Sequence, residues 1–160
     1  MTRIRWWVGI VGTLMLAGAL GGCSEGDHDE DFHSNGACVL FNEVEPNATS
    51  LTAQDLGDAF VDDCAVVSGS LSTVTDVDRY AVLIQESLTL VVTLDHSPLV
   101  DFDILVFDAQ TGELIRDCGT GAVPEICAVS FGVSSRPIDV DVVVVSEVGA
   151  GTYTLTLEAQ

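Results

Sequence analysis

From residue 65 to residue 159, apolar and polar side chains alternate with a two-residue rhythm, in runs too short for helices. In SLTLVVTLD (87–95), Leu88, Leu90, Val92 and Leu94 share one face, while Thr89, Val91 and Thr93 share the other. DFDILVFDA (101–109) gathers Phe102, Ile104 and Val106 in the same way. GTYTLTLEA (151–159) sets Tyr153, Leu155 and Leu157 against Thr152, Thr154, Thr156 and Glu158, as a half-buried strand does. DVDVVVVSE (139–147) is nearly continuous valine and predicts a central strand buried on both faces. AVVSGSL (65–71), RYAVLIQ (79–85), GELIRDC (112–118) and ICAVSFG (126–132) bring the total to about eight short strands. Turn residues separate most of them: His96-Ser97-Pro98, Gln110-Thr111-Gly112, Arg136-Pro137 and Gly149-Ala150-Gly151. No long amphipathic helix is legible. ATSLTAQDLG (48–57) predicts one short helical turn, started by Thr49 or Ser50 and stopped by Gly57. The expectation is an all-β protein, a single antiparallel β-sandwich of jelly-roll type.

The N-terminal 22 residues follow another logic. Arg3 and Arg5 precede an apolar and small-residue stretch from Val8 to Leu20, shorter than the ~20 apolar residues of a membrane span, as in an export signal. It ends in Leu20-Gly21-Gly22-Cys23, which resembles the bacterial lipobox. That resemblance implies cleavage before Cys23, acylation of its sulfur and anchoring to a membrane, each buried methylene contributing about 0.8 kcal/mol. Ser24, where an aspartate would signal retention, resembles the outer-membrane sorting pattern of two-membraned bacteria. Residues 23–37 then form an acidic tether with too few apolar side chains to offset the entropy of ordering. His28 and His33 lie in it among carboxylates, as part of a solvated spacer. Residues 38–160 are the folded unit.

Charge narrows the partners. Residues 23–160 keep all 25 acidic residues and only Arg79, Arg116 and Arg136, a formal charge of −22, and the chain has no lysine. Such a surface repels nucleic-acid phosphates and anionic headgroups and attracts cations. Cys38, Cys64, Cys118 and Cys127 are an even set in an exported chain and predict two disulfides, with three possible pairings. The simplest has Cys118–Cys127 closing the turn-like GTGAVPEI, leaving Cys38 for Cys64.

Four patterns occur in order: NEVEPNATSLTAQDLG (42–57), VSGSLSTVTDVDRYAV (67–82), DFDILVFDAQTGEL (101–114) and GAGTYTLTLEA (149–159). Together they resemble the bacterial pre-peptidase C-terminal domain, a secreted β-sandwich related to the collagen-binding domains of collagenases. The likeness spans about residues 42–159. Two features depart from it: Arg79 stands where an aromatic usually follows D-x-D, and the segment between residues 118 and 135 carries an extra cysteine pair.

The resemblance implies a calcium site where the E-x-E-P-N segment meets the paired aspartates, which nominates Glu43, Glu45, Asn47, Asp76 and Asp78. Ca²⁺ takes 6 to 8 oxygens at about 2.3 to 2.6 Å, and alternate residues of an extended chain share a face. The competing reading is that these are solvated turn acids on a very acidic chain. Asp101 and Asp103 are weaker candidates of the same kind. No G-x-S-x-G, H-E-x-x-H or phosphate-binding loop occurs, and His96 sits in a turn-like DHSP, so the expected role is non-catalytic binding of an extracellular polymer or an envelope protein. Its binding face would be a sheet surface carrying exposed aromatics. The alternative is an accessory lipoprotein packed on a partner protein.

Overall fold

The computed structural model describes residues 37–133 and 136–160. The export signal, Cys23 and most of the tether (residues 24–36) lie outside the described residues. Ten strands form: β1 (Val39–Asn42), β2 (Gln54–Ala59), β3 (Cys64–Leu71), β4 (Val77–Ile84), β5 (Leu88–His96), β6 (Asp101–Asp108), β7 (Leu114–Asp117), β8 (Glu125–Phe131), β9 (Ile138–Val148) and β10 (Gly151–Ala159). They make two five-stranded sheets, ordered β1-β3-β10-β5-β8 and β2-β4-β9-β6-β7, packed as a sandwich.

The two-residue rhythm is the cause of this arrangement. Leu88, Leu90, Val92 and Leu94 of β5, Phe102, Ile104 and Val106 of β6, and Tyr153, Leu155 and Leu157 of β10 are all buried in one interior. Each such side chain contributes about 1.5 to 3 kcal/mol relative to exposure. Strand β9 lies in the middle of its sheet, between β4 and β6, and Val140 to Val144 are buried without interruption. Val140, Val142 and Val144 face the core; Asp141 and Val143 face outward and are covered instead by neighbours. Arg79 and Leu105 flank Val143 in register. The Arg79 guanidinium lies 3.3 Å from Asp141 Oδ2 and 5.2 Å from the centre of the Phe107 ring. Residue 79 points away from the core, so an arginine is accommodated there, where it neutralises a buried carboxylate.

Three expectations change. The sandwich has ten strands rather than eight, because β1 and β2 are additional. The sheets are mixed rather than antiparallel: β1 pairs with β3 and β2 with β4 in parallel. The helical turn expected at 48–57 is absent; Thr49 and Thr52 close a tight turn, the Thr52 N–H donating to the Thr49 carbonyl at 2.9 Å, and strand begins at Gln54. A helix there has nothing to bury on one side, since Leu51 is 95 % exposed while Leu56 is fully buried as a strand residue. Gly57, with φ of 91°, sits at a register shift inside β2 rather than at a helix end.

Cys38 is bonded to Cys64 and Cys118 to Cys127. The first bridge joins the start of β1 to the start of β3, beside the Val39–Ala65 pair that opens their parallel register. The second closes the loop between β7 and β8.

Candidate functional site

The ends of β1, β3 and β5 and the starts of β4, β6 and β10 meet at one end of the sandwich, and the acidic segment after β1 is folded against it. The Glu43 N–H donates to the Ser68 carbonyl at 3.0 Å, prolonging the β1–β3 pairing by one residue. Its carboxylate Oε2 accepts from the Ser70 N–H at 2.7 Å and from the Ser70 hydroxyl at 3.3 Å. The chain then turns at Glu45–Pro46, whose peptide is cis, and drops Asn47 into a fully buried position. There the Asn47 carbonyl accepts from the Arg79 N–H at 3.2 Å, and its own N–H donates to Glu45 Oε2 at 2.9 Å. Strand β4 supplies Asp78, an inward-facing residue with no exposed surface.

Carboxylate oxygens of Glu43, Glu45 and Asp78 lie within 4.8 Å of one another, the one such group of three or more candidate ligands among the described residues. The end of the Asn47 amide is 3.1 Å from both Glu45 Oε2 and Asp78 Oδ1. Facing only acceptors, that atom is the amide nitrogen, which donates to both carboxylates; turning the amide over would present its oxygen instead, giving a convergent oxygen set of the kind a hard cation binds. The cluster can hold a metal ion, and its donors are the oxygen ligands that suit Ca²⁺ rather than a softer metal.

Burial pushes the Asp78 carboxyl up to about 8; the Tyr153 hydrogen bond opposes this, while the nearby Glu43 and Asp76 charges reinforce it. The Tyr153 hydroxyl donates to Asp78 Oδ2 at 2.5 Å, and the Tyr80 hydroxyl lies 2.6 Å from that of Tyr153. Burial raises both phenols above their usual range. Tyr153 reaches this position because Gly69, its register partner on β3, has no side chain; a Cβ there would stand 2.4 Å from the tyrosine ring. The acidic cluster therefore rests on a buried relay of two phenols.

Of the sequence candidates, the structure brings Glu43, Glu45, Asn47 and Asp78 together. Asp76 stands apart: its Oδ2 accepts from the Ser72 N–H at 2.7 Å and the Ser72 hydroxyl at 2.6 Å, closing the turn before β4, and these bonds hold its carboxyl below the usual range. Asp101 and Asp103 lie near the loop between β7 and β8 and do not join the three-carboxylate group. Burial pushes Asp103 up to about 6, helped by the charges of Glu125, Asp101, Glu147 and Asp117. Sequence reasoning missed the roles of Tyr80, Tyr153, Gly69 and Ser70. The tyrosines stood in the quoted motifs, but only the β3–β10 register shows what they touch.

His96 is turned into the interior, its ring centre 5.1 Å from that of Phe102, with Nδ1 3.0 Å from the Ser97 carbonyl oxygen. Its buried Nε2 has no partner among the described residues, so no serine hydroxyl is engaged with it. The outer face of the first sheet carries hydroxyls rather than the expected aromatics near this end. Asn42, Ser68, Thr154 and Asp95 form one row across four strands, and with Ser70 and Thr152 they line a shallow concavity of about 640 Å³.

No protein family's sequence profile matches the chain, and no curated protein sequence matches it. Solved structures do resemble it. PliG of Aeromonas hydrophila, a periplasmic lysozyme inhibitor of g-type lysozyme, is 15 % identical, with 76 % of this chain and 98 % of that one covered and a TM-score of 0.49. The pre-peptidase C-terminal domain of a collagenase from Bacillus anthracis is 9 % identical, covering 74 % and 100 %, with a TM-score of 0.48. PliG of Salmonella Typhimurium is 14 % identical, covering 68 % and 100 %, with a TM-score of 0.46. The likeness is one of fold. The domain whose motifs the sequence resembles is thus among its structural neighbours.

Proposed function

We propose that the protein is a non-catalytic binding module of the bacterial cell envelope. A lipid on Cys23 anchors it to the outer membrane, the destination that Ser24 after the cysteine favours, and the acidic tether displays the sandwich beyond the bilayer surface. Ca²⁺ bound by Glu43, Glu45, Asp78 and the Asn47 amide oxygen fixes the segment after β1 to the end of the sandwich. The observation that carries this reading is the convergence of three carboxylates and one amide on a point where two of the acids are partly or wholly shielded from water. Like charges so placed repel strongly unless a proton or a cation intervenes. The bound cation would neutralise that charge; the chain's own residues supply the frame, through Ser70 on Glu43 and Tyr153 on Asp78.

The ligand is an extracellular polymer or an envelope protein. The second of these, and with it the accessory role of packing on a partner protein, is favoured by exposed aliphatic side chains at the loop-bearing end, Leu99 among them at 87 % exposure. Capture assays with the purified protein, against polysaccharides, collagen-like peptides and isolated envelope proteins, test the role. Saturable capture that weakens in EDTA is the expected outcome; absence of capture from all three classes would contradict it.

A further inference from the structure

The loop-bearing end holds a second feature, separate from the carboxylate cluster. Pro98, Leu99, Val100, Gly121, Val123 and Val148 line a concavity of about 340 Å³, joined by Asp101. Leu99 is 87 %, Val148 58 % and Val123 42 % exposed, so three aliphatic side chains from three different loops or strand ends stand together in water. Isolated exposed aliphatics are ordinary; a cluster at one concavity marks a contact surface.

Its frame is fixed in advance. Val100 packs against the core and against Gly149, whose φ of 89° and missing side chain allow the approach; a Cβ there would stand 2.8 Å from a Val100 methyl. The 118–124 loop is held by the Cys118–Cys127 bridge and by buried Glu125, whose carboxylate accepts from the Thr120 N–H at 2.6 Å, the Thr120 hydroxyl at 2.9 Å and the Ile104 N–H at 3.1 Å. A surface ordered before binding loses little entropy on docking.

Acidic residues stand beside it. Asp101 lines the concavity, Glu147 precedes Val148 in the chain, and the charges of both, with those of Glu125 and Asp117, act on Asp103. Gly119 lets the loop lie against Asp103, whose carboxylate a Cβ there would meet at 2.9 Å, and Gly121, with φ of 65°, turns the loop beside Asp101. The chain has no lysine and carries a formal charge of −20 over its whole length. An apolar seat beside carboxylates on a strongly acidic chain selects by charge complementarity against anionic polymers, and its aliphatic floor offers nothing that a hydroxylated glycan recognises.

We infer that this end of the sandwich is a docking face for a basic protein, which seats an aliphatic side chain among Leu99, Val123 and Val148 while flanking lysines or arginines meet Asp101 and Glu147. The inference rests on the binding role proposed above and names its partner class.

The test uses the full chain and two short peptides, Lys-Leu-Lys-Lys and the charge-matched Lys-Ser-Lys-Lys, with binding mapped by amide chemical shifts. The leucine peptide is expected to give saturable shifts confined to residues 99–101, 121–123 and 147–148. The Leu99→Ser and Val148→Ser variants alter exposed positions, so they keep the parent's melting temperature and weaken that peptide about tenfold. Equal shifts from both peptides, shifts located elsewhere, affinity unchanged in Leu99→Ser, or no saturable shift would overturn the inference. If captured polymer or envelope protein is retained undiminished by both serine variants, this face is wrong while the binding role stands.

Discussion

At the scale of single residues, the site is a problem of buried charge. Asp78 and Asp103 both hold their protons to higher pH than an unfolded chain does, to about 8 and about 6 respectively. A raised carboxyl pKa stabilises the folded state fully below the unfolded value of about 3.9, and that contribution is lost as pH rises through the folded value. In EDTA, the melting temperature should therefore fall between pH 5 and pH 8. Asp103→Asn should make the fall shallower below about pH 6.5, where Asp78 alone then contributes, and leave the fall above it unchanged, as a thermal melt series would show; an identical pH profile in the variant would contradict this. Saturating Ca²⁺, which favours ionised Asp78, should flatten the upper part. A second expectation concerns the phenol relay. Gly69→Ala places a methyl group where the Tyr153 ring lies and should cost about 1 to 3 kcal/mol. Tyr153→Phe leaves buried Asp78 without its donor and should cost about as much, measured by denaturant unfolding.

Among the elements, what was legible in the sequence divides along a physical line. All eight expected strands form because each carries its own alternating face, and β9 is central because its valines need cover on both sides. Strand β1 has four residues and β2 is broken by Gly57 at its register shift, so neither shows a readable rhythm. Their parallel pairing is a long-range property that no local pattern contains. The same line runs through the site. The resemblance to the pre-peptidase C-terminal domain implies Glu43, Glu45, Asn47 and Asp78, but it implies Asp76 equally, and Asp76 is used locally by Ser72. Tyr153 and Gly69 meet only through strand register. Because Glu43 directly follows β1, the Cys38–Cys64 bridge is expected to support the acidic cluster. Replacing both cysteines by serine should cost about 3.5 kcal/mol on loop-closure reasoning for a separation of 26 residues. It should also weaken Ca²⁺ binding; calorimetric titration showing undiminished affinity would separate β1 from the site.

The whole molecule is a strongly acidic sandwich whose loop-bearing end carries both the carboxylate cluster and the aliphatic seat. Its outer sheet face is hydroxylated near that end and its described residues include no helix. A cation at Glu43, Glu45 and Asp78 would lower the repulsion within this close group of carboxylates and tie the chain's N-terminal approach to β4. The most direct measurement is the melting temperature of the purified protein as Ca²⁺ is titrated in after EDTA treatment, beside the Asp78→Asn variant. A ligand that binds only the folded state raises the transition by mass action. A saturable rise of several degrees is expected in the parent and little or none in the variant; a parent transition unmoved by millimolar Ca²⁺ would contradict a calcium site at Asp78.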